Sequence, residues 1–145
     1  MSRLKDVELD VARLLEAAGL GSLADGLPTL YAGPYPAGAP DAFISCRLSS
    51  SEKPEKYLAN TGTAMHRCTV TVLVRATRGP DDYIKGTARA RAVWGVLYDA
   101  PPEGYVHVEP EDGGPTYLGE DEEGRPQWLL TICLLFHSSG TRLPD

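Results

Sequence analysis

Leu4, Val7, Val11, Leu14, Leu15 and Ala18 recur at three- and four-residue steps. That spacing lays one apolar stripe along a helix over about 2–18. Gly19 and Gly21 offer its stop. Thr29 to Tyr31 reads as a short strand, and the following "AGPYPAGAP" forbids regular structure. Ala42 to Leu48, "AFISCRL", reads as a strand. The stretch from Ser49 to Ala64 is polar, has no helix or strand period and carries Pro54 and Gly62. It is longer than most connections inside a domain, so it predicts a protruding loop, of a kind that is usually functional or disordered, the alternative being a mobile hairpin loop with no job. His66 to Ala76 alternates, with Cys68, Val70, Val72 and Val74 on one face and Arg67, Thr69, Thr71, Leu73 and Arg75 on the other. Tyr83, Thr87, Ala90, Trp94 and Leu97 then repeat at helical spacing up to about Asp99. Asp81 and Asp82 suit that helix's start, and "APPEG" ends it. Tyr105 to Glu109 is a short strand; Thr116 to Leu118 and Gln127 to Phe136 form a final hairpin, and a loose tail follows after 137.

This order predicts a single α+β domain over 1–145. Its sheet is largely antiparallel or mixed, of about four to five strands, with two helices packed on one face. The last strand poses a problem for such a two-layer domain. Trp128, Leu130, Ile132, Leu134 and Phe136 occupy one face, and Leu129, Cys133 and Leu135 the other. One face packs under the helices, which leaves the second wet. Exposed apolar patches of several hundred Å² usually mark an interface, and at ~25 cal/mol per Å² such a patch stores several kcal/mol for association. Leu129, Cys133 and Leu135 are therefore candidates for inter-subunit or core contact. The bland alternative is that the N-terminal loops cover that face.

The net charge of −6 argues against a nucleic-acid-binding surface. It does not exclude a protein that must let DNA slide past, where negative walls would help. The three cysteines form no C-x-x-C and sit in strands, as reduced core residues do. The N-terminus has no unbroken apolar signal region, and no run approaches a membrane helix. The expectation is a soluble product of the cytoplasm, without membrane contact. Chemistry is sparse. His107 and Glu109 make H-x-E without the P-C-x-x-C that zinc deaminases add. His66 and Cys68 share a strand face but would need two more ligands to hold a metal. "EDEE" at Glu120 to Glu123 lacks EF-hand spacing and reads as a solvated turn. No enzyme, metal or cofactor is expected.

The segment "YVHVEPEDGGPTYLGEDEEGRPQWLLTICLLF" resembles the end of the tail-terminator proteins of long-tailed bacteriophages, often labelled minor capsid proteins. Pro115, Tyr117, Leu118, Gly119, Asp121, Gly124 and Arg125 match that pattern, and Tyr83 with "WGVLYDA" resembles the family's second helix. Specific residues match over Trp94 to Phe136, while order and spacing match over most of the chain. The resemblance implies a homohexameric ring in the virion, at the head–tail junction of a siphophage. Such a ring caps the tail tube, stops its polymerisation and presents the surface joined to the head. The implied partners are further copies of the chain, the tail tube protein and a head-proximal connector or stopper protein, with DNA crossing the channel unbound. Glu52, Lys53, Glu55, Lys56 and Tyr57 in the long loop are the candidates for tube or neighbour contact. Alternatives are another head–tail connector or completion protein, a small metal-dependent enzyme using His66, His107 and Cys68, and a stand-alone dimer that binds a partner through the last strand.

Overall fold

Asp6 opens the first helix by accepting a hydrogen bond from the Leu9 amide at 3.4 Å, as N-cap aspartates do. The computed structural model describes residues 6–24, 28–51, 55–56, 64–79, 82–99, 101–111 and 113–138. Helix α1 runs Val7–Ala17 and buries Val7, Val11, Ala12 and Leu15; the expected start near residue 2 lies outside the described residues. Its acidic side chains each fasten another segment. Glu8 accepts from the Leu48 amide at 2.9 Å, Glu16 from the Leu23 amide at 2.7 Å, and Asp10 from the Tyr105 hydroxyl at 2.7 Å.

Three long strands form the centre of the sheet. β2 (Phe43–Ser51) pairs antiparallel with β4 (Ala64–Arg75), and β4 pairs antiparallel with β7 (Pro126–Ser138). The short β1 (Leu30–Ala32) runs parallel to β2 on its outer side. β5 (His107–Pro110) and β6 (Thr116–Glu120) follow one another along the outer edge of β7, and β3 (Glu55–Lys56) pairs with the start of β4. Among the described residues the sheet is mixed and seven-stranded, two or three strands more than the pattern predicts. The excess lies in very short pieces, which backbone ladders recruit without a side-chain period.

The Ser49–Ala64 stretch shows the same effect. β2 continues to Ser51 past a register shift between Leu48 and Ser50, Glu55 and Lys56 form β3, and Ala64 already belongs to β4. β4 outruns β2, and the polar chain supplies the missing backbone partners there. Likewise β7 extends to Ser138, one residue into the expected tail.

Helix α2 (Asp82–Asp99) lies beside α1 on one sheet face and buries Gly86, Ala90, Val93 and Leu97. The expected stripe through Tyr83, Thr87 and Trp94 is rotated by about one position. Gly86 explains the rotation: a Cβ there would fall inside contact distance of the Trp128 ring, so the helix closes on β7 through its backbone. The core fills the space between helices and sheet with Ile44, Cys46, Val70, Val72, Val74, Leu130, Ile132, Leu134 and Phe136.

Candidate interaction surfaces

Leu129, Cys133 and Leu135 project onto the sheet face that neither described helix covers. The register places them in cross-strand rows. Ser50, Thr69, Cys133 and Glu109 form one row, and Arg67, Leu135 and His107 the next. On the other side of the first lie Arg47, Thr71 and Thr131, then Ser45, Leu73, Leu129 and Thr116. Cys133 is only 4% exposed, and Arg67 Nη1 donates to its Sγ at 3.5 Å. Leu73, Leu129 and Leu135 are half-buried. A trough of about 540 Å³ runs across this face, lined by Ser50, Arg67, Thr69, Glu109, Pro110, Glu111 and Cys133.

The N-terminal loops cover one end of this face. Phe43 is fully buried there under Tyr31, edge-on at 5.8 Å, and Tyr35 at 4.3 Å. The Arg75 guanidinium lies 4.2 Å from the Phe43 ring centroid. It donates from Nε to the Asp41 carbonyl at 2.9 Å and from Nη2 to the Pro40 carbonyl at 3.1 Å. Ser45 Oγ donates to the Gly33 carbonyl at 2.9 Å. Arg75 is 5% exposed although alternation assigns it to the outward face. The proline-rich segment folding back over it was not legible in the periodicity.

The same corner organises the acidic turn, which is not simply a solvated one. Asp121 Oδ1 accepts from the Glu123 and Arg125 amides, both at 2.9 Å, and Oδ2 accepts from Arg125 Nε at 2.8 Å. Arg125 also pairs with Asp41 at 2.9 Å and Glu123 at 3.2 Å, while Arg75 Nη1 stands 3.7 Å from Asp121. Burial works to raise the Asp121 pKa, but the hydrogen bonds from Arg125 and Glu123 outweigh it and hold the carboxyl below its ordinary value. Gly124, at φ 78°, takes the left-handed position that lets the turn close.

The residues of the enzyme alternative are not brought together. His66 stacks on Phe136 on the helix-facing side of the sheet, ring centroids 4.8 Å apart. Cys68 is buried on that side too. His107 registers with Leu135 on the opposite face, beside Glu109 at 4.0 Å. None of the three cysteines forms a disulfide, and all are buried. Burial first, and the Glu8 carboxylate second, push the Cys46 thiol up to about 12. Of the loop candidates, Glu52, Lys53 and Tyr57 lie outside the described residues, while Glu55 and Lys56 form β3.

A second surface went unseen in the sequence. Tyr83 and Ile84 at the start of α2 and Tyr117 and Leu118 on β6 are all exposed. Tyr83 meets Tyr117 edge-on at 5.0 Å, which joins the two elements into one apolar patch above Trp128. Helical spacing assigned Tyr83 to the core; nothing in the pattern says that β6 would come beside it.

Known proteins bear on this geometry through structure alone. No family model and no curated protein matches the chain. A chain of the solved structure "Virion of native gene transfer agent (GTA) particle" is similar to it, with a TM-score of 0.53. The likeness is one of fold. It covers 90% of this chain and 94% of that one at 16% sequence identity.

Proposed function

We propose that this protein is a structural component of a phage-like virion, and within it a tail terminator. The observation that carries the reading is the fold likeness, over nearly the full length of both chains, to a chain of a virion particle. The resemblance of Trp94 to Phe136 to tail terminators supports the finer role. In that role a homohexameric ring caps the tail tube at the head–tail junction, ends its growth and offers the head-side connector a surface without a tube-like edge. The ring is head-to-tail, so each subunit uses two unlike surfaces. Glu52, Lys53, Glu55, Lys56 and Tyr57 reach the tube or a neighbouring subunit, and Leu129, Cys133 and Leu135 belong to contacts between copies. The acidic excess keeps passing DNA unbound, because each phosphate contact would add affinity.

Electron microscopy of particles made after deleting the gene tests the role. Overlong tails, or filled heads apart from unfinished tails, are expected. Normal joined virions would overturn it, and normal-length tails that fail to join would make the chain a connector instead. Replacing Glu52, Lys53 and Tyr57 by serine tests the tube contact. The protein should fold and fail to support joining; unimpaired joining refutes the assignment.

A further inference from the structure

We infer that the open sheet face is a self-complementary surface on which a second copy of this chain docks, face to face, about a two-fold axis parallel to the central strands. The face has three zones, read across the strands. Arg47 on β2 and Arg67 on β4 give it a basic flank. Leu129 and Leu135 on β7 form a half-buried apolar middle. Glu109 and Glu111 at β5 give it an acidic flank, and both are exposed. A two-fold axis along the strands, midway between β4 and β7, lays Arg47 of each copy over Glu109 and Glu111 of the other and stacks β4 on β7, so that Leu73 meets Leu129. Edge-to-edge pairing of β5 with its own copy would instead bring the two acidic flanks side by side. The edges are also blunted: β1 has three residues, β5 ends in Pro110 and β6 carries a register shift between Tyr117 and Gly119.

Area agrees with a reversible contact. Four strands and the seven positions from Arg67 to Leu73 span roughly 20 by 23 Å. That gives about 900 Å² buried in total, just below the size of standard stable interfaces and within the range of weak ones. The product is an aligned sandwich of two sheets with helices outside. The pairing does not rest on the virion reading. A head-to-tail ring joins two unlike surfaces, whereas this contact is isologous and belongs to the free chain, where it shields the face before assembly.

Sedimentation equilibrium and native mass spectrometry of the purified protein test the proposal, using Arg47→Glu alone, Glu109→Arg/Glu111→Arg alone, and an equimolar mixture of the two. The wild type should pair at about 100 µM, and its pairing should weaken as salt is raised. Each variant alone opposes like charges at both contacts and should be monomeric. The mixture restores opposite charges at both and should give a dimer of the mixed mass. A wild-type monomer at that concentration overturns the proposal, as does a pair that both variants form unchanged, or a mixture that stays monomeric. Should a variant fail to fold, the salt titration of the wild type decides alone, a salt-insensitive pair counting against the surface. None of these results depends on the virion phenotype, so the two readings fail separately.

Discussion

Gly86 is the tightest point between the helical layer and the sheet. Replacing it by alanine sets two effects against each other. Alanine favours an α-helix over glycine by about 1 kcal/mol. The new methyl, however, lands inside contact distance of the Trp128 ring and 3.0 Å from the Ala76 Cβ. The ring is not free to swing aside: Trp128 is 2% exposed, with Tyr83 at 5.6 Å and Tyr117 at 5.4 Å. Overpacking of this kind costs about 1–3 kcal/mol, and here it includes displacing α2 from β7. Because the methyl meets a packed ring and not a flexible chain end, the cost falls in the upper part of that range, so after the helix gain Gly86→Ala should destabilise by about 1–2 kcal/mol and lower Tm by roughly 3–8 °C. Urea denaturation should show the midpoint fall with an unchanged slope. In the double variant Gly86→Ala/Trp128→Phe the methyl fills the space the smaller ring vacates. Its destabilisation should therefore be less than the sum of the singles by about 1 kcal/mol. A Gly86→Ala protein that is more stable, with additive behaviour in the double, would refute the close approach.

Asp121→Asn tests the turn by pH. The folded carboxyl titrates below its unfolded value, so its stabilisation is present above about pH 4 and disappears as pH falls through the folded pKa. The wild type should be the more stable at neutral pH and the two should converge in acid; a stability gap that persists at low pH counts against the assignment. Arg75→Met removes a buried cation whose donors hold the Asp41 and Pro40 carbonyls. It should cost about 2–3 kcal/mol by thermal melting, with proteolysis in the proline-rich segment rising; unchanged protection there argues against its fastening role. Cys46, Cys68 and Cys133 are buried, so native protein at about pH 8 should resist iodoacetamide until denatured. Labelling of Cys46 on the native timescale would contradict its position under α1.

The chain by itself determined the two helices, the three long strands and the α+β class. Those features are written in local periodicity, which burial on one side enforces residue by residue. It also showed that β7 is apolar on both faces. What covers each face was decided by tertiary contacts between segments far apart in sequence. Arg75 alternates outward, yet it is buried because Pro40 and Asp41 fold back over it. Asp121 and Arg125 close a local turn, but Asp41 completes their corner from a distant loop. Tyr83 has helical spacing and still lies exposed, because Gly86 lets α2 pack by its backbone against Trp128. The two-residue β3 has no period to read, since a ladder satisfies backbone groups whatever the side chains are, whereas β1 and β5 lie where short strands were expected. The two-sided apolarity of the last strand was legible in the sequence. The division of its open face into basic, apolar and acidic zones was not, because the residues that make it come from four strands whose register only the folded sheet sets.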